Sequence, residues 1–318
     1  MSQESGKSCR HAFTEALLAA ARADRTIIAL TSDAKGSVTL GDFERALPEQ
    51  FVELGIAEQN VVGVAVGFAR SGKRSFVCGP ASFYSARSIE QVKNDVAYGG
   101  ADVKVVGVSG GVSYGALGST HHSLHDLAFM RAIPNLTVLL PCDVHQTAEV
   151  TRYLATHPGP AYMRLGRTAV PAVYSAAEGS FIFGKANLLR EGDACTIIAA
   201  GEATYHALAA ADELKSAGVQ VRLLDMPTVK PLDTASVIAA ARETGAILTV
   251  EEHSVYGGLG AAVAEVVVQS HPVPMRIVGF PDEFVPAGSS KELFAHYGLS
   301  GPAIAQRARE LIAEAVRA

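Results

Sequence analysis

Cysteine is scarce: four residues, Cys9, Cys78, Cys142 and Cys195, stand far apart with no CxxC spacing. That pattern offers no disulfide framework and reads as reduced core or surface thiols of a cytoplasmic protein. Basic residues are in the minority, with 27 Lys and Arg against 32 Asp and Glu and a formal net charge of −5. No Lys/Arg block is interleaved with aromatics, so a nucleic-acid partner is not expected. Long apolar runs are missing as well. None reaches the roughly 20 residues that a bilayer span requires, and the start, MSQESGKSCR, has no apolar leader region, so no membrane partner is expected. What is present is an apolar fraction of 48% with 19% charged residues over 318 positions, enough to build two compact cores.

Helical patterns alternate with β-branched runs along the whole chain. An amphipathic stretch over Ser8–Ala23 precedes "TIIAL", and a helix at Glu58 precedes "RSFVCG". A helix over Ser85–Ala97 leads to "VKVVGVS" and "LTVLLP", and one from Asp143 leads to "AYMRLG". After the Pro/Ala/Ser-bearing stretch Pro171–Ser180, the pattern restarts with "CTIIAAG", "VQVRLLDM" and "AILTVEE" and helices over Ala203–Ala217, Asp233–Thr244 and Ala303–Ala318. Such alternation predicts an α/β fold with mostly parallel sheets covered by helices. The expected division is a domain over 1–172, a linker over 173–182 and a second domain over 183–318.

Three stretches could carry chemistry. In "ELGIAEQNVVGVAVGFARSG" an acid, Glu58, stands at the mouth of a helix of Val, Ala and Gly. An acid in a first turn is ordinarily explained by the unpaired N–H groups and the helix dipole. Gly63 and Gly67, however, share one helical face on which another backbone could pack closely, and an acid beside such an interface would be desolvated. A desolvated carboxyl can keep its proton and donate it to a ring nitrogen. The Gly-rich "SGGVSYGALGSTHHSLHD" follows an apolar strand and ends in His121, His122 and His125. With no cysteine nearby and no HExxH, a proton-transfer or hydrogen-bonding histidine is expected rather than zinc. In "GPASFYSARSIEQVKND", Phe83 and Tyr84 end a strand and open a helix, as either core rings or a stacking surface. "GGLGAAVAEVV" near Gly257 reads as a tight helix entry rather than a phosphate loop.

Together and in this order, these stretches resemble the pyrimidine-binding domain of transketolases. "FGKANLLREGDACTIIAAG", "VEEHSVYGGLG" and "PDEFVPAGSSKELFAHYGL" resemble the transketolase carboxyl-terminal domain. The resemblance implies that thiamine diphosphate is the cofactor. It implies that Glu58 passes a proton to N1′ of the aminopyrimidine, so that the 4′-amino group can take the thiazolium C2 proton. Phe83 corresponds to the stacking aromatic, and Asp33 to an acid at the cofactor and dimer region. His121 corresponds to a histidine that hydrogen-bonds the sugar. Arg10, Ser37 and Arg167 correspond to positions that hold the substrate phosphate, where two guanidiniums and a hydroxyl suit a tetrahedral dianion. The implied reaction moves a two-carbon ketol unit from a ketose to an aldose.

Ser109 stands where many transketolases have a further phosphate-binding histidine, and Leu117 where they have an aspartate reading a sugar hydroxyl. "STHH" replaces the common Pro-Thr-His-Gln. These departures imply a substrate other than the usual pentose phosphates, such as a branched, shortened or sulfonated ketose. No GDG motif occurs in the chain. In the family that motif holds the diphosphate through Mg2+ or Ca2+, so the resemblance implies an amino-terminal partner subunit that carries it and an α2β2 assembly. The rival expectations are the β subunit of a 2-oxo acid dehydrogenase E1 component, a synthase of the deoxyxylulose phosphate type, and a non-catalytic binding module.

Overall fold

A computed structural model describes residues 7–175 and 179–317. Residues 176–178, inside the expected linker, lie outside that description, as do the first six residues of the expected leading domain and Ala318, the expected end of the last helix. The architecture is two α/β units. Among the described residues the first sheet has seven strands: β1 Ile27–Thr31, β2 Phe51–Glu53, β3 Arg74–Pro80, β4 Val103–Val108, β5 Thr137–Leu139, β6 Ala161–Leu165 and β10 Thr228–Lys230, in the order β10-β5-β6-β4-β3-β1-β2. The second has five: β7 Asn187–Arg190, β8 Thr196–Ala199, β9 Arg222–Asp225, β11 Ile247–Ser254 and β12 Met275–Phe280, in the order β12-β11-β8-β9-β7. All pairings are parallel except those of the edge strands β10 and β7. β1, β4, β6 and β8 are buried along their whole length, which is why β1 and β8 read as unbroken apolar or β-branched runs rather than alternating ones, while β4 and β6 are interrupted only by the buried Lys104 and Arg164.

Two features depart from the sequence expectation. The helix expected over Ser85–Ala97 is broken: a short helix Ala81–Ala86 ends before Ser88, and the chain restarts at Ile89 and continues as a π-helix over Val92–Tyr98. Ser88 explains the interruption, because its hydroxyl donates to the carbonyl of Tyr84 at 2.7 Å and competes with the helical ladder. The second departure is β10, which follows the second unit's β9 yet pairs antiparallel with β5 of the first sheet, Thr228 opposite Leu139. One apolar cluster accordingly joins Val138 and Leu140 to Ile198, Leu224, Met226 and Val229. The two units are fused through a shared core. All four cysteines are free and buried, so the choice between core and surface thiols falls to the core.

Charge is buried at the seam between the units. Arg164 lies 3.4 Å from Asp126 and 3.7 Å from Glu252, and Tyr162 donates its hydroxyl proton to Asp126 at 2.6 Å. Burial pushes Glu202 up to about 8, Glu251 and Glu252 up to about 7 and Asp225 up to about 6. Burial also pushes His253 down to about 4. For a carboxyl whose folded value is raised, the folded state binds more protons than the unfolded one, so stability falls as pH rises through the folded value. A depressed histidine acts oppositely, but only below its unfolded value near 6.5. Above that pH the carboxyls dominate, joined near the upper end by the four buried thiols, whose pKa values burial raises and which act in the same direction. The melting temperature is therefore expected to fall steadily from about pH 6.5 to about pH 8.5, and Glu202→Gln is expected to flatten the slope; differential scanning fluorimetry across that range checks both.

Candidate active site

The helix Glu58–Arg70 turns Glu58, Val61, Val62 and Ala65 inward, one face at the period of about 3.6 residues. Gly63 and Gly67 point the other way, and a methyl group built on either would meet nothing within 4 Å. The strand order reverses direction at β1 and β3, the kind of crevice in which open α/β sheets collect ligands. The expected site residues lie at the carboxyl ends of these strands. Asp33 and Ser37 follow β1, Glu58 follows β2, Phe83 follows β3, His121 follows β4 and Arg167 follows β6. Arg10 opens the helix Cys9–Ala23, which runs back toward the start of β1 and so begins over the same rim.

Side-chain contacts link most of them into one line. Glu58 is only 6% exposed, and its Oε1 accepts a hydrogen bond from Nη1 of Arg87 at 2.9 Å. The guanidinium carbon of Arg87 lies 4.0 Å from the centre of the Phe83 ring. The Phe83 and His121 rings meet edge-on with centroids 5.3 Å apart, and the Tyr114 ring meets His121 in the same way at 5.3 Å. Arg167 sits over Tyr114, 5.1 Å from its centre. Arg167 in turn is close enough to Arg10 that its charge adds to burial in lowering the Arg10 pKa. Arg10 also donates to the main-chain carbonyl of Ser37 at 2.8 Å.

Asp33 is tied elsewhere: it is exposed with φ 53°, and its amide donates to the Glu53 carboxylate at 2.7 Å. Tyr84, by contrast with Phe83, is a core ring, fully buried with its hydroxyl donating to Ser32. The three histidines of the loop go three ways. His121 faces the two aromatics, His122 is buried against the Gly115 carbonyl at 3.2 Å, and exposed His125 stacks on Phe129. Burial lowers the His122 pKa, which suits a neutral structural ring. Leu117 is 54% exposed, and Ser109, at φ 61°, is buried with no hydrogen-bond partner for its hydroxyl among the described residues.

Two residues of the line escaped the sequence expectation. Arg87 carried a weak signal, four positions after Phe83 and hence on the same helical face. Tyr114 carried less, as an aromatic inside a glycine-rich loop. The expectation of an acid desolvated beside an interface at Gly63 and Gly67 also changes: Glu58 is buried within this chain, on the helix face opposite those glycines, and a guanidinium is set against it. The glycine turn at Gly257 is a helix entry whose N-terminal amides are already taken: Leu259 and Gly260 donate to the Glu251 carboxylate at 2.6 and 2.8 Å. Among the described residues, no group of three or more His, Cys, Asp or Glu side chains could hold a metal ion, and no helix is long and apolar enough to cross a membrane.

The family description "Transketolase, pyrimidine binding domain" matches residues 5–173, and "Transketolase, C-terminal domain" matches residues 184–304. This chain belongs to the transketolase family. It is 55% identical over 305 residues to one of the subunits of the apulose-4-phosphate transketolase of Phocaeicola vulgatus, covering 96% of this chain and 97% of that one. It is 39% identical over 303 residues to the SqwH subunit of the 6-deoxy-6-sulfo-D-fructose transketolase of Clostridium sp., covering 95% and 94%. Among solved transketolases, a "split gene transketolase, inactive beta4 tetramer" superposes with a TM-score of 0.88 at 36% identity, over 97% of this chain and 99% of that one. The transketolase relationship thus spans both α/β units, and these relatives have the length of one subunit.

Proposed function

We propose that this chain is the carboxyl-terminal subunit of a thiamine-diphosphate-dependent transketolase, active with a separate amino-terminal subunit and moving a two-carbon ketol unit from an anionic ketose to an aldose. The observation that carries the reading is the line of contacts Glu58, Arg87, Phe83, His121, Tyr114 and Arg167, with the charge of Arg10 near its far end. An acid and an aromatic face stand at one end of it and two guanidiniums at the other. The first end suits a flat nitrogen heterocycle, since the flat N–H donor of Arg87 already lies against both Glu58 and Phe83. The second end suits an anion: Arg10 Nε and Arg167 Nη1 are buried without hydrogen-bond partners, and among the described residues neither arginine is ion-paired to a carboxylate.

When bound, thiamine diphosphate would supply the nucleophilic carbon and the electron sink of ketol transfer. Glu58 would hold the proton exchanged with pyrimidine N1′, and Phe83 would support that ring from one face. His121, between the two ends, would donate to the sugar oxygen on which charge develops. Arg10 and Arg167 would grip the anionic tail, with Ser37 beside Arg10. The diphosphate and its Mg2+ or Ca2+ are assigned to the partner subunit's GDG segment, which this sequence lacks. The outward, uncovered face at Gly63 and Gly67 is a candidate place for a partner helix in an α2β2 assembly.

For the donor, similarity at 55% to a subunit named for apulose-4-phosphate, against 39% to one named for a sulfonated fructose, favours a branched ketose phosphate. Leu117 and Ser109 agree with a substrate lacking the usual pentose hydroxyl pattern. The test mixes this chain with its GDG-bearing partner, thiamine diphosphate and Mg2+, and offers either apulose 4-phosphate with an aldose phosphate acceptor or pyruvate. Sugar exchange by the pair and none by the chain alone is the expected result. Release of carbon dioxide from pyruvate without sugar exchange would assign the chain to the 2-oxo acid dehydrogenase class instead. Full sugar exchange by the chain alone would end the two-subunit reading.

A further inference from the structure

Arg87 is attached where it can move. It follows the last residue of the helix Ala81–Ala86, its side chain is 51% exposed, and its long stem reaches inward to a carboxylate that is 7% exposed. At its tip the guanidinium makes two contacts at once: an N–H bond to Glu58 Oε1 at 2.9 Å and a face contact to Phe83 at 4.0 Å. These are the two groups that the thiamine reading gives to the aminopyrimidine. A guanidinium is also a close chemical mimic of a pyrimidine protonated at N1′, being flat, cationic, delocalised and able to donate an N–H in its own plane. Both cannot lie on one face of Phe83 and donate to the same oxygen of Glu58.

We propose that Arg87 is an internal place-holder for the cofactor's pyrimidine, keeping Glu58 neutralised and Phe83 covered until the cofactor displaces it into solvent. The inference rests on the thiamine reading above. The physical logic is that Glu58 at 6% exposure would be costly to leave as an unpaired charge in the separate subunit, and Arg87 removes that cost. The consequence is competition. A latch closed in all but about a tenth of the molecules weakens apparent cofactor binding about tenfold.

The experiment measures thiamine diphosphate affinity by calorimetry at saturating Mg2+, using the two-subunit enzyme assembled with wild-type chain, Arg87→Ala, Arg87→Gln or Arg87→Lys. Each isolated chain is melted in parallel. The alanine and glutamine variants are expected to bind the cofactor about five- to thirtyfold more tightly while melting at a lower temperature. Lysine, which can pair with Glu58 but cannot lie flat on Phe83, is expected between them and wild type. A purely structural role would lower melting temperature and affinity together. If the wild-type pair binds the cofactor and the variants bind it equally or more weakly, the place-holder is refuted while the thiamine reading stands. If the wild-type pair does not bind the cofactor, the thiamine reading itself falls. Should the alanine variant not fold, the glutamine and lysine variants decide the matter.

Discussion

Glu58→Gln in the assembled two-subunit enzyme is expected to lower kcat by about 10²- to 10⁴-fold, the range over which a positioned acid or base contributes to proton transfer. Glutamine keeps the size of the side chain and an oxygen that can still accept from Arg87, so the helix Glu58–Arg70 and its inward face of Val61, Val62 and Ala65 should stay intact. What is lost is the exchangeable proton. KM should change little, because the proposed reading gives Glu58 to the cofactor and Arg10 and Arg167 to the anionic tail of the sugar. Steady-state kinetics with cofactor in excess checks this, and a kcat close to that of wild type would remove Glu58 from the proton pathway.

Replacing Arg10 or Arg167 by alanine is expected to act on the other parameter. A hydrogen bond to a charged partner contributes about 1.5–3 kcal/mol, so each change should cost roughly 10- to 100-fold in kcat/KM for a phosphorylated donor, carried mainly by KM. The double variant should lose less than the sum, because both guanidiniums would serve one anion and they repel each other when it is gone. A ketose donor without an anionic tail provides the control: its kcat/KM should be insensitive to either change. Equal losses for charged and uncharged donors would show that the arginines support the fold rather than the substrate.

The histidine loop marks a limit of what spacing can convey. His121, His122 and His125 lie within five residues of one another, and nothing in their spacing tells a ligand-facing ring from a buried one. The turn over Gly115–Leu117 and the left-handed Gly118 decide it, rotating His122 onto the Gly115 carbonyl and leaving His121 facing Phe83 and Tyr114. Arg87 is a similar case. Its place on the Phe83 face follows from helical periodicity, but the acid it meets is 29 positions away and comes from another strand-end. The strand β10 is a third: "TVK" is too short to announce itself, and its partner lies in the other unit.

The sequence by itself determined the α/β class, the alternation of buried strands and helices, the family, and the presence of Glu58, Phe83, His121 and the two arginines at strand or helix ends. Those properties are local or periodic, set by burial patterns a few residues long. Only the tertiary structure decided that these residues join through Tyr114 and Arg87, that Glu58 is matched by a guanidinium, and that the two units share one core. The reason is that charge pairing, ring contacts and edge-strand pairing depend on distances between segments far apart in the chain, and those distances exist only once the parallel sheets have brought their carboxyl ends to one rim.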